Sequence, residues 1–136
     1  MRLRHFISNQ PLVNFFLHFP TRRLVLDPFK SCRIIANAIS LKPLITELSP
    51  LSVEIRLFGS RGRGSNRPDS DFDLFIVGRD PDKIQKLVQK QSQGFAYAVD
   101  STVYTPEQEA RIDQEEPKFR KKLEQGVILW KAPTLH

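Results

Sequence analysis

The chain has 136 residues, a net charge of +6 and one cysteine. That length suits one domain with a real core, Cys32 alone excludes an intrachain disulfide or a cysteine-rich metal site, and no apolar run approaches the length of a membrane span. Much of the charge sits early: residues 1–30 hold Arg2, Arg4, Arg22, Arg23 and Lys30 against Asp27, so the high isoelectric point says little about the body and nucleic acid is not a required partner.

Residues 1–27 carry Leu12, Val13, Phe15, Phe16, Leu17 and Phe19 but no acid before Asp27. They read as an N-terminal extension, partly helical and weakly packed, ahead of a domain spanning 28–136. Asp27-Pro28 predicts a helix start with proline at the first helical position. Ile34, Ile35, Ala38, Ile39, Leu41, Leu44, Ile45 and Leu48 form its apolar face, with a break near Pro43. Cys32 reads as a small buried hydrophobe. Val53 to Phe58 alternates as a strand does, with Val53, Ile55 and Leu57 on one side.

Gly59-Ser60 then opens a helix, with Ser60 where an N-cap is favoured. Asn66 to Ser70 is turn chemistry, and Phe72 to Val77 reads as a buried strand. Asp80-Pro81 predicts a helix carrying Ile84, Leu87 and Val88. A third strand falls within Phe95 to Tyr104. Thr105-Pro106-Glu107-Gln108 combines a capping box with proline at the first helical position. Pro117 starts a last helix that Gly126 ends, and Val127 to Trp130 closes the chain as a short apolar segment. The fold class is α/β (α+β), a small mixed β-sheet flanked by helices.

The chemistry concentrates between Ile55 and Gly78. Gly59 has no Cβ, so backbone or phosphate can come close, and free N–H groups of a first helical turn suit phosphate oxygens. Asp71 and Asp73, two apart, share one face of their strand. Two carboxylates in an apolar strand are costly unless paired, and a divalent cation removes that cost. Hard oxygen ligands without a His or Cys cluster favour magnesium or manganese over zinc. Arg61 and Arg63 are nucleotide-binding candidates at the same mouth, and the sequence leaves phosphate contact and exposed surface equally open for them. His5, His18 and His136 show no catalytic spacing.

Gly59-Ser60, ten residues, then Asp71-Phe72-Asp73, with Gly64 and Ser70 also in place, resembles the signature of the minimal nucleotidyltransferases of the DNA polymerase β superfamily. The resemblance covers roughly residues 31 to 131. It implies a polymerase-β-like nucleotidyltransferase fold and a third carboxylate on a neighbouring strand before a Thr-Pro-Glu helix start. That position is Asp100, followed by Thr105-Pro106-Glu107. It further implies a magnesium-dependent enzyme that moves a nucleoside monophosphate from an NTP, ATP foremost, to an acceptor hydroxyl. Asp71, Asp73 and Asp100 would be catalytic and metal-binding. Similarity to the antitoxin of HEPN/MNT toxin–antitoxin pairs points to a tyrosine of a HEPN-type toxin as acceptor, in the cytoplasm and away from membranes. Two alternatives stay open: a small-molecule or tRNA nucleotidyltransferase that needs a partner subunit, and a non-catalytic neutralising module. The closing segment Val127 to Trp130 and the aromatic N-terminus are the candidate docking surfaces.

Overall fold

The computed structural model describes residues 10–133, so the readings of His5 and His136 lie outside the described residues. Strand β1 (Ser52–Phe58) pairs antiparallel with β2 (Phe72–Gly78) and with β4 (Val127–Lys131), while β3 (Val99–Tyr104) runs parallel to β2. The sheet order is β3-β2-β1-β4, a mixed sheet as the sequence predicts.

The helices in chain order are α1 (Pro11–His18), α2 (Thr21–Leu26), α3 (Pro28–Ser40), α4 (Lys42–Leu48), α5 (Gly59–Arg63), α6 (Pro81–Ser92), α7 (Pro106–Ala110), α8 (Ile112–Glu115) and α9 (Pro117–Glu124). A 3₁₀ turn, Ser49–Leu51, leads into β1. Proline fixes the start of α1, α3, α6, α7 and α9, because its missing N–H is not needed in a first turn. The apolar run from Ile34 to Leu48 does break beside Pro43, at Leu41, into α3 and α4. Thr105 and Gln108 close a reciprocal capping box at α7.

One face of the sheet is covered by a large core. Ile55, Leu57, Leu74, Ile76 and Leu129 pack there against Phe15 and Phe19, Ile34 and Ala38, Leu44 and Leu48, and Ile84 and Val88. The opposite face carries a small aromatic cluster, with Phe75, Val77, Ile112 and Leu123 buried and Phe58, Tyr104 and Phe119 partly so. Phe75 and Phe119 meet edge-on at 5.6 Å, and Phe58 and Phe119 at 5.7 Å.

Four readings are corrected. Residues 11–19 are not weakly packed: Phe15 is 1 % exposed and Phe19 6 %, and the Asn14 side chain donates to the Lys131 carbonyl and accepts from its N–H, both at 2.8 Å. Aromatic rings in a segment with no acid gain more from the core than from water. Val53 is exposed, not inward with Ile55 and Leu57, because a register shift between Ser52 and Glu54 on β1 turns it out. Cys32 is exposed, one position off the buried stripe of α3 that Ser31, Ile34 and Ala38 define. The closing segment is strand β4, with Val127, Leu129 and Trp130 buried, and so offers little of itself for docking.

Candidate active site

Asp73 sits near the start of β2, and its register neighbours are Phe58 on β1 and Asp100 on β3. Parallel pairing of β2 with β3 sets the two carboxylate residues side by side, though 27 positions separate them in sequence. Phe58 on the other side leads straight into Gly59. That glycine has φ +67°, and a Cβ there would run into the Asp73 carboxylate oxygen Oδ2. A side chain at Gly59 is therefore excluded twice, by backbone conformation and by the carboxylate. Asp71, one residue ahead of β2, is exposed, as is Asp100 at the edge strand.

The Asp73 carboxyl is pushed above the usual carboxylate range. Burial is the larger cause, followed by the negative charges of Asp100 and Asp71, and Arg63 opposes the shift. The three aspartates and Arg63 thus share one electrostatic environment. They do not form a ready-made cage: among the described residues, no group of three or more His, Cys, Asp or Glu side chains is placed to hold a metal ion. The expected three-aspartate ligand set is therefore not preassembled. That arrangement still fits magnesium, which is commonly held by one or two carboxylates together with substrate phosphates.

Ser60 is the second residue of α5, and the backbone of Phe58 occupies the N-cap position in its place, because the chain stays extended through Phe58 before turning at Gly59. The Ser60 carbonyl accepts from Ser65 N–H at 3.0 Å and from Gly64, where the chain turns left-handed at φ +74° and ends the helix. The same carbonyl is approached at 3.5 Å by the Ser65 hydroxyl, which donates to it.

The two arginines separate. Arg61 is 5 % exposed. Its guanidinium donates to Ser70 O at 2.8 Å, Asn37 Oδ1 at 2.8 Å and Pro68 O at 3.1 Å. It lies 4.0 Å from the Phe72 ring centroid and 5.0 Å from that of Tyr97. This planar fork ties the loop ahead of Asp71 and Asp73 to α3, so that the Arg61 guanidinium is engaged by protein groups. Arg63 is exposed and acts on Asp73 through space.

Sequence reasoning missed Asn37. It is 4 % exposed and donates to Arg61 O at 3.1 Å and to Asn66 Oδ1 at 3.0 Å, while accepting from Arg61. The available signal was a polar residue beside the buried stripe of α3, where an amide must find partners.

A family profile described as "Nucleotidyltransferase domain" matches residues 40–129, more than half of the chain and all of β1 to β3. Among solved structures, the chain is similar to a candidate nucleotidyltransferase from Sulfolobus solfataricus, with a TM-score of 0.50 and 21 % identity over 75 % of this chain and 86 % of that one. At that identity the likeness speaks for the fold. No curated protein matches the chain. The site's glycine-serine turn and paired strands lie inside the matched segment, and the chain belongs to the nucleotidyltransferase domain family.

Proposed function

We propose that the chain transfers AMP from ATP to an acceptor hydroxyl, a tyrosine of a HEPN-type toxin, and so acts as an antitoxin. The observation that carries the transfer chemistry is the pairing of Asp73 with Asp100 across β2 and β3, beside a glycine that admits no side chain. Magnesium would be held by Asp71 and Asp73 together with the nucleotide phosphates, and it would supply charge neutralisation at the reacting phosphate.

The acceptor oxygen forms a bond to the α-phosphorus as the bond to the pyrophosphate oxygen breaks, and the hydroxyl proton passes to the Asp100 carboxylate. Gly59 and Ser60 line the path of the leaving pyrophosphate. Arg61 ties down the loop before Asp71 through Pro68 O and Ser70 O, which steadies the approach to the two carboxylates.

Asp71 and Asp100 are both exposed, so an acceptor as bulky as a protein side chain can reach them. The tyrosine acceptor itself rests on the resemblance to HEPN/MNT antitoxins. Incubating the chain with ATP, magnesium and a HEPN-type partner should add AMP to a partner tyrosine, read by mass spectrometry of its peptides, and Asp100→Asn should lose the label. AMP found only on a small molecule or on tRNA would replace the acceptor and keep the transfer. Neutralisation of the toxin with no labelled acceptor would leave a binding module in place of the enzyme.

A further inference from the structure

A cavity of about 220 Å³ opens between the α2–α3 corner, the end of α5 and the turn before β4, lined by Arg23, Asp27, Lys30, Ser31, Ile34, Arg63 and Gln125. Ligand pockets for whole small molecules are usually larger, so this one has the size of a subsite. Three cationic side chains line it against one carboxylate, Asp27.

The walls are tied together. Arg23 Nη2 donates to Gln125 O at 3.1 Å, bridging α2 to the turn before β4. The Arg23 carbonyl accepts from Ser31 Oγ at 2.9 Å and from Asp27 N–H at 2.9 Å, which fixes α2 against α3. Lys30 and Arg63, by contrast, form no ion pair with a described residue. Lys30, Arg63 and Arg23 line the cavity against Asp27 alone, which leaves a positive field that an anion would satisfy.

Arg63 links this cavity to the carboxylates, since its charge also acts on Asp73. Arg23, Asp27, Lys30, Ser31 and Ile34 all precede residue 40, where the family match begins. The cavity is therefore built mainly from this chain's own N-terminal portion.

We propose that this cavity is an anion subsite that takes a phosphoryl group, with Lys30 and Arg63 as its ligands. The group belongs either to the nucleotide or to the acceptor. That it serves the substrate rests on the transfer reading; that it binds a phosphoanion does not.

The test uses inorganic pyrophosphate, titrated calorimetrically into the full chain with EDTA present. The wild-type chain should bind it, Lys30→Glu should weaken binding by about tenfold or more, the size of one charge-assisted hydrogen bond, and Asp27→Asn should tighten it. Lys30→Gln, which introduces no repulsion, should fall between the wild type and Lys30→Glu, and it serves if the glutamate variant fails to fold. Absence of pyrophosphate binding in the wild type, or binding as tight as the wild type in both Lys30 variants, overturns the proposal.

The two sources are separated with magnesium-ATP. If the nucleotide supplies the phosphoryl group, Lys30→Gln also weakens ATP binding; if the acceptor supplies it, ATP binding holds and pyrophosphate binds beside ATP. A wild-type chain that binds no pyrophosphate yet transfers AMP removes the subsite alone, while a wild-type chain that binds pyrophosphate yet transfers nothing removes the transfer reading alone.

Discussion

The two faces of the sheet are built to different standards. The face of Leu74 and Ile76 lies under helices from before and after β1, and its side chains are fully buried. The face of Phe75 and Val77 is covered by the short helices α8 and α9 and a few aromatic rings. Asp73 belongs to this second face, two residues before Phe75, where the cover ends. A charged carboxylate could not sit under the thick layer without losing its water altogether. The thin layer shields it partly, which is enough to disturb its protonation and still leave it reachable. Stability is thus concentrated on one side of the sheet, and the reactive groups stand at the end of the other.

The sharpest way to break this comparison is to cut into both layers and compare the costs. Phe15→Ala should destabilise the chain by about 3–5 kcal/mol, as for other fully buried phenylalanines, measured by urea denaturation. Phe119→Ala, at the half-buried rim of the second cluster, should cost roughly 1–2 kcal/mol because less apolar area leaves the protein. A larger loss at Phe119 than at Phe15 would reverse the assignment of the two faces. By the same reasoning, a chain lacking residues 1–27 should unfold more readily than the full chain.

Asp73→Asn sharpens the contrast between stability and reactivity. AMP transfer should fall by about two to three orders of magnitude, as for loss of a group that meets transition-state charge. Folding should respond in the opposite direction. The Asp73 carboxyl binds its proton more tightly in the folded state than in the unfolded one. Its ionisation therefore costs stability once the pH exceeds the unfolded pKa, and that cost is complete above the folded one. The metal-free variant should melt higher than the wild type at neutral pH, and the difference should vanish in acid below the unfolded value. A lower melting point at neutral pH would show that the carboxylate supports the fold.

The smallest effect concerns Arg61→Lys. An ammonium cannot reach Ser70 O, Pro68 O and Asn37 Oδ1 together, so about 1–2 kcal/mol of stability should go. If Arg61 only positions the loop, kcat should fall while the affinity for pyrophosphate with EDTA present stays as in the wild type. A drop in that affinity would place Arg61 among the phosphate ligands.

Local signals in the sequence carried most of the fold. Proline at first turns, the Thr105 capping box and the alternation of β1 from Ile55 onward act over a few residues, and each appears where the sequence places it. The glycine-serine turn and Asp71-Phe72-Asp73 were legible for the same reason, since their spacing lies within one strand-turn-strand unit. What stayed hidden depends on distant partners. Arg61 reads as a cation at a phosphate-binding turn until the Asn37 amide and the Pro68 and Ser70 carbonyls are seen around it. Phe15 and Phe19 read as an appendage because the surfaces that bury them come from α3, α4 and β4, and the exposed Val53 follows from a pairing irregularity that alternation does not announce.

The bond pair between Asn14 and Lys131 has a further consequence. β4 is an outer strand of the sheet, and the N–H and C=O of Lys131 are the groups that another strand would grip. One side-chain amide occupies both, standing in for the backbone of a neighbour. Helix α1 packs against this border, so at Lys131 the two groups an added strand would need are already taken, one of the ways in which a sheet edge is blunted.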